Sequence, residues 1–328
     1  MLREMLPFWV SIAILSLLQG AVVAMPRAGL PWELRPQRRW SAWQARLDRL
    51  GTGAWALIPP ASVVVFVLVA QAAAHASADT LTYVALVAVP LLAALALGWL
   101  TAGARPAHAL FALALFALAW ADRGGLAGHG AAVLLSALSC AALGVILARV
   151  TPARWLALGI VAMAVADTAF VLSDLLQHPN SVLNAAHPAA GLPRLQSAAF
   201  GSAVMGYGDL FVAGVLGGLV ARRAGRQVQL RAAALTALFA LGFDLLFFAV
   251  SELPATVPVA LALLALSGEL GLRGERRDTS TIKERARAGA RRAYARPGLA
   301  GQAQASLGGN RRGVSPPEAP PGAAPPPL

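Results

Sequence analysis

The fold class this sequence predicts is an all-α polytopic membrane protein with nine transmembrane helices. Three observations predict it. Of the 328 residues, 58% are apolar and 13% charged, with a mean hydropathy of +0.64; a soluble domain has about 45–50% apolar and about 25% charged residues. The apolar residues fall in runs near the roughly 20 residues a helix needs to cross the hydrocarbon core. The arginines fall between alternate runs.

The runs cover residues 7–25, 54–74, 81–101, 106–121, 128–148, 155–177, 198–221, 232–250 and 253–272. The first opens with Arg3 beside Glu4 and is followed by a basic stretch, so it reads as a retained helix rather than a cleaved signal. Trp32, Trp40 and Trp43, set among arginines, read as an interfacial amphipathic segment. Residues 1–272 therefore form one transmembrane domain. Residues 273–296 are rich in arginine, and 297–328 are rich in Gly, Pro and Ala, ending SPPEAPPGAAPPPL. Such a tail has too little apolar surface for a core and is expected to be disordered. The single cysteine, Cys140, leaves no disulfide framework and no cysteine metal site within one chain.

Orientation follows from the cations. Arg27, Arg35, Arg38, Arg39, Arg46 and Arg49 follow the first run, Arg105 the third, Arg149 and Arg154 the fifth, and Arg222, Arg223, Arg226 and Arg231 the seventh. Eleven Lys or Arg follow the ninth, and only Arg3, Arg123 and Arg194 lie on the other side. The excess of cations marks the cytoplasmic side, which puts the N-terminus outside and the tail inside. The basic tail reads as an orientation signal with attraction to anionic lipid headgroups, not as a nucleic-acid surface.

Ionisable groups inside a membrane are costly and point to function. Asp167 lies 13 residues after Arg154, Asp209 lies 13 residues before Arg222, and Asp244 lies 13 residues after Arg231. At 1.5 Å per residue all three are roughly 20 Å from the cytoplasmic boundary. Asp174 is about two turns further out and reads as a structural partner near the outer interface. Two carboxyls within hydrogen-bonding reach hold one proton between them and act as a unit. Such a pair activates water as general base and protonates a carbonyl oxygen as general acid, with no metal or other cofactor. Asp244 is expected to be a structural partner of the pair or its modulator.

The stretch GYGD, Gly206–Asp209, resembles the GxGD motif of the presenilin and signal peptide peptidase family of intramembrane aspartyl proteases. In that family the motif lies in the seventh of nine spans. The second catalytic aspartate lies in the sixth span, where this chain has ADTAFVL, Ala166–Leu172, and a Pro-Ala-Leu motif opens the ninth, where this chain has LPATVPVAL with Pro254 and Ala255. The resemblance implies a presenilin-like fold with Asp167 and Asp209 as the catalytic pair. It implies that Gly206, Tyr207, Gly208, Pro254, Ala255 and Thr256 shape the site or bind substrate. Ala166 stands where the family has tyrosine, and Thr256 where it has leucine, which marks a divergent relative. The orientation is similar to that of signal peptide peptidases, so the implied substrates are single-span segments with a cytoplasmic N-terminus or signal-peptide remnants. The Ala/Arg/Gly-rich composition points to a bacterial plasma membrane as the location.

Three alternatives stay open. Prepilin peptidases also carry GxGD, but with a lysine where this chain has Phe211. Paired membrane acids also serve proton- or cation-coupled transporters. A catalytically silent relative would bind membrane helices without cutting them. Gly214 and Gly218 read as small residues for helix packing, and His129, His178 and His187 as solvated histidines of outer loops.

Overall fold

Every residue from 212 to 221 is buried, a pattern that belongs to a helix enclosed on all sides. The computed structural model in which this is seen describes residues 2–28, 74–173, 182, 188, 191–250 and 253–272. By its contacts the chain divides into Met1–Arg273 and Gly274–Leu328, and every described residue belongs to the first unit. Residues 54–73 of the run expected at 54–74, the tryptophans at 32, 40 and 43, Asp174, His178, His187 and the tail lie outside the described residues.

The described part is mostly helical. The helices are α1 (Leu2–Ala24), α2 (Ala74–Leu95), α3 (Phe111–Ala121), α4 (Leu126–Val150), α5 (Ala153–Leu172), α6 (Tyr207–Arg223), α7 (Arg226–Asp244) and α8 (Val257–Ala265). A π-helical turn, Ala96–Leu100, extends α2, and 3-10 turns, Pro106–Leu110 and Leu245–Phe248, precede α3 and follow α7. Two strands, β1 (Ser197–Phe200) and β2 (Ala203–Gly206), form an antiparallel hairpin.

Among the described residues, five helices are long and apolar enough to cross a membrane: Pro7–Ala24, Ala78–Leu100, Leu126–Val150, Ala153–Leu172 and Arg226–Phe248. Their outward faces are apolar, with Val84, Val87 and Leu91 on α2, Val165 on α5 and Leu238 on α7 all exposed. A helical protein with this surface is membrane-embedded.

Three expected spans differ. The fourth, 106–121, opens as the 3-10 turn Pro106–Leu110 and leaves α3 only 11 residues. The seventh does not begin as a helix at 198. Residues 197–206 pair as a hairpin, and α6 starts only at Tyr207. The two-residue loop Gly201–Ser202 makes this pairing, because Gly201 adopts a left-handed φ of 56°. The ninth span is helical only over Val257–Ala265 and continues to residue 272 as turns. Pro254 and Pro258 keep residues 253–256 out of the helix, since proline lacks the donor and restricts the residue before it.

Helices α4 and α6 form the centre. A Cβ at Gly144 would lie 2.0 Å from the Gly214 carbonyl oxygen, and one at Gly214 would lie 2.2 Å from that of Cys140. Gly218 meets Gly144 in the same way, at 2.5 Å. Only glycine permits such backbone contact, the use expected of Gly214 and Gly218. α1 packs on α6 and α7, α2 and α3 pack on α4, and α5 and α8 close the other flank of α6.

The basic connections gather at one end. Arg27 donates its N–H to the Leu100 carbonyl at 2.9 Å, Arg226 donates to Ala24 at 2.5 Å, and Arg222 donates to Thr151 at 3.2 Å. The hairpin loop reaches in from the other direction, with the Ser202 N–H on Ser11 Oγ at 3.4 Å.

Gly214→Val places a branched side chain against the α4 backbone. It is expected to cost about 3 kcal/mol, the upper end for overpacking, read as a lower midpoint of thermal unfolding in detergent. Gly208→Ala, with nothing within 4 Å of its added Cβ, is expected to leave that midpoint unchanged.

Candidate active site

Asp209 is the third residue of α6, in the turn whose amides have no helical partner. Its Oδ2 accepts the N–H of Gly206 at 3.2 Å, so the GxGD stretch folds back on its own carboxylate. A negative charge here also faces the positive end of the helix dipole. Gly206 has an extended conformation that other residues adopt (φ −63°, ψ 144°), but an added Cβ would sit 3.0 Å from Asp209 Oδ2. Gly208 leaves open space on its exposed side.

Asp167 is carried by α5, three-quarters of the way along the helix, and is half-buried. Its Oδ2 accepts two hydrogen bonds from Thr256, from Oγ1 at 2.7 Å and from the backbone N–H at 3.2 Å. The proline break before α8 frees that amide. Thr256, where the motif of the similar family has leucine, is 1% exposed and supplies both donors. Helices α5 and α6 pack against each other, so Asp167 and Asp209 stand on neighbouring helices, each with its own donor, and of the two only Asp209 lines the cavity described next.

A cavity of about 100 Å³ opens beside Asp209, lined by Ser16 and Gln19 of α1, Val204 to Gly206 of β2, Asp244 of α7, and Pro254 and Ala255, among others. Water occupies about 30 Å³ per molecule in the liquid, so this space holds a few. Asp244 is 8% exposed and accepts a hydrogen bond from Ser16 Oγ at 2.8 Å. It shares the cavity with Asp209, while its hydrogen bond runs to α1. The hairpin register matters here. Phe200 and Ala203 close the two-residue loop as a hydrogen-bonded pair, so the backbone groups of Val204 and Gly206 turn away from β1. The Gly206 N–H on Asp209 agrees with this, and Val204 carries the same edge along the cavity wall.

Tyr207 is one of the residues expected to shape the site or bind substrate. Its hydroxyl is 2.8 Å from Ser139 Oγ, in the α4–α6 contact, and it does not line the cavity. It anchors the first turn of α6 to α4. The roles of Ser16 and Gln19 were missed by sequence reasoning. Ile12, Ser16 and Gln19 recur at the i, i+4, i+7 spacing of one helix face, a signal visible in the sequence. Among the described residues no three His, Cys, Asp or Glu side chains are placed to hold a metal ion.

No protein-family model, characterised protein or solved structure matches the chain.

Ser16→Ala leaves the buried Asp244 carboxyl without its donor. It is expected to cost about 1–3 kcal/mol, read from thermal unfolding. The same change on an Asp244→Leu background is expected to cost less, because no carboxyl is left to orphan.

Proposed function

We propose that this chain is an intramembrane aspartyl endopeptidase of the presenilin and signal peptide peptidase type. It hydrolyses peptide bonds in single-span membrane segments or signal-peptide remnants. The observation that carries the reading is that Asp167 and Asp209 stand on the packed helices α5 and α6, Asp209 lining a cavity beside the helix break at Pro254 and Ala255 and Asp167 held to that break through Thr256.

The chemistry assigns each part a task. One carboxyl, ionised, takes a proton from water, and the water oxygen attacks the scissile carbonyl carbon. The other carboxyl, protonated, gives its proton to the carbonyl oxygen as the tetrahedral intermediate forms. Collapse breaks the C–N bond, and the amine leaves with a proton from the dyad. Thr256 holds Asp167 in place through two donors, and the α6 N-terminus holds Asp209.

A helical substrate shields its peptide bonds, so it must unwind to react. The outward edge of β2, at Val204, offers backbone groups to an extended segment lying in the cavity. The full chain then spans the membrane nine times, with its N-terminus outside and its tail in the cytoplasm, in a bacterial plasma membrane. The gathering of the basic connections at one end of the bundle supports this orientation.

Purified protein is expected to cleave a single-span peptide with a cytoplasmic N-terminus in detergent. Asp167→Ala and Asp209→Ala are each expected to lower the rate by about 10²–10⁴-fold or more. Cleavage that persists in both variants would sink the assignment. Thr256→Val is expected to lower kcat with little change in KM, because it loosens Asp167 without touching the substrate. A cysteine placed at Ser306 is expected to resist a membrane-impermeant maleimide on intact cells and to react after lysis. Labelling on intact cells would reverse the orientation.

A further inference from the structure

The break before α8 frees backbone groups. Two of these groups already have partners. The Thr256 N–H goes to Asp167, and the Ala255 carbonyl accepts Gln19 Nε2 at 2.7 Å. That second bond fixes the Gln19 amide. With Nε2 committed, Oε1 is the other pole of the same rigid group.

Gln19 is 0% exposed and lines the cavity beside Asp209. Its Oε1 is buried and has no hydrogen-bond partner among the described residues. Buried polar atoms of native proteins are nearly always satisfied, and an exception calls for a ligand or water. The Ala255 carbonyl accounts for the Nε2 end of the amide and leaves the Oε1 end unaccounted for among the described residues. The β2 edge at Val204 to Gly206 lines the same cavity. A segment paired with that edge turns alternate N–H groups away from β2, because successive backbone groups of a strand point to opposite sides.

Taking the peptidase reading as its basis, the geometry points to Gln19 Oε1 as a substrate-binding acceptor. It receives one backbone N–H of the unwound peptide next to the scissile bond. The ligand is an extended peptide with free amide donors, which a helical segment does not present. Gln19 thus acts in binding and favours substrates already unwound at this point.

The test uses the full-length protein in detergent and a single-span peptide in which one amide at a time is replaced by an ester. An ester removes the N–H donor at one position. Kd, from fluorescence anisotropy, and cleavage rate are measured for each peptide. In wild type, one position near the scissile bond is expected to weaken binding about tenfold, the effect of one buried hydrogen bond. In Gln19→Met the penalty at that position is expected to vanish, with the other positions unchanged. In Gln19→Glu, which keeps an acceptor oxygen, it is expected to remain. Should Gln19→Met fail to fold, Gln19→Asn withdraws the acceptor by one methylene and is expected to lose most of the penalty.

An identical ester profile in wild type and the Gln19 variants overturns the proposal. So does a wild-type profile with no sensitive position, or a peptide that does not bind. Cleavage without Gln19 dependence overturns the subsite and leaves the peptidase reading standing. A Gln19-dependent profile with no cleavage supports the subsite and overturns the peptidase reading.

Discussion

A carboxylate inside an apolar bundle must be given a hydrogen-bond donor, and helices spend their own donors on themselves. This constraint organises the described part of the chain. Each of the three aspartates has a donor from a different source. Asp209 uses an amide just ahead of its own helix, Asp167 uses Thr256 from the segment before α8, and Asp244 uses the Ser16 hydroxyl from α1. The first two depend on backbone that is not helical. The hairpin β1–β2 and the proline-bounded segment 253–256 supply it. Irregular backbone at membrane depth persists where it is buried in protein or lines a cavity, and here it does both.

Position follows from packing. The glycine contact between α4 and α6 brings their backbones together, and Tyr207 pins the first turn of α6 to Ser139. Asp209 sits two residues beyond that pin, so the close α4–α6 contact also sets the carboxylate. Part of the cavity beside Asp209 is lined by α1. Ser16 and Gln19 reach it from α1 through single hydrogen bonds.

Much of this was legible in the sequence, and the misses have physical reasons. Long apolar runs bounded by arginine marked α1, α2, α4, α5 and α7, because length and composition decide membrane helices. The depth count put Asp167, Asp209 and Asp244 at one level, since helical rise is constant. The hairpin was hidden because its residues are small and apolar and merge with α6 in hydropathy; only the turn signal Gly201–Ser202 distinguished it. Thr256 was visible as a departure from a motif, but that its side chain would serve Asp167 depends on tertiary contact. The anchoring of Tyr207 on Ser139 was not legible, because the direction of its side chain depends on the helix phase set at Gly206. Gln19 was overlooked because one amide in an apolar run scarcely changes the hydropathy.

The measurement that bears most directly on the dyad is a double-variant cycle in the cleavage assay, with Asp167→Asn, Asp209→Asn and the pair together. Two carboxyls sharing one proton and one water act as a unit, so the double variant should lose no more activity than the more damaging single variant. Losses that multiply would show two independent groups, and full activity in either single variant would remove that aspartate from the chemistry.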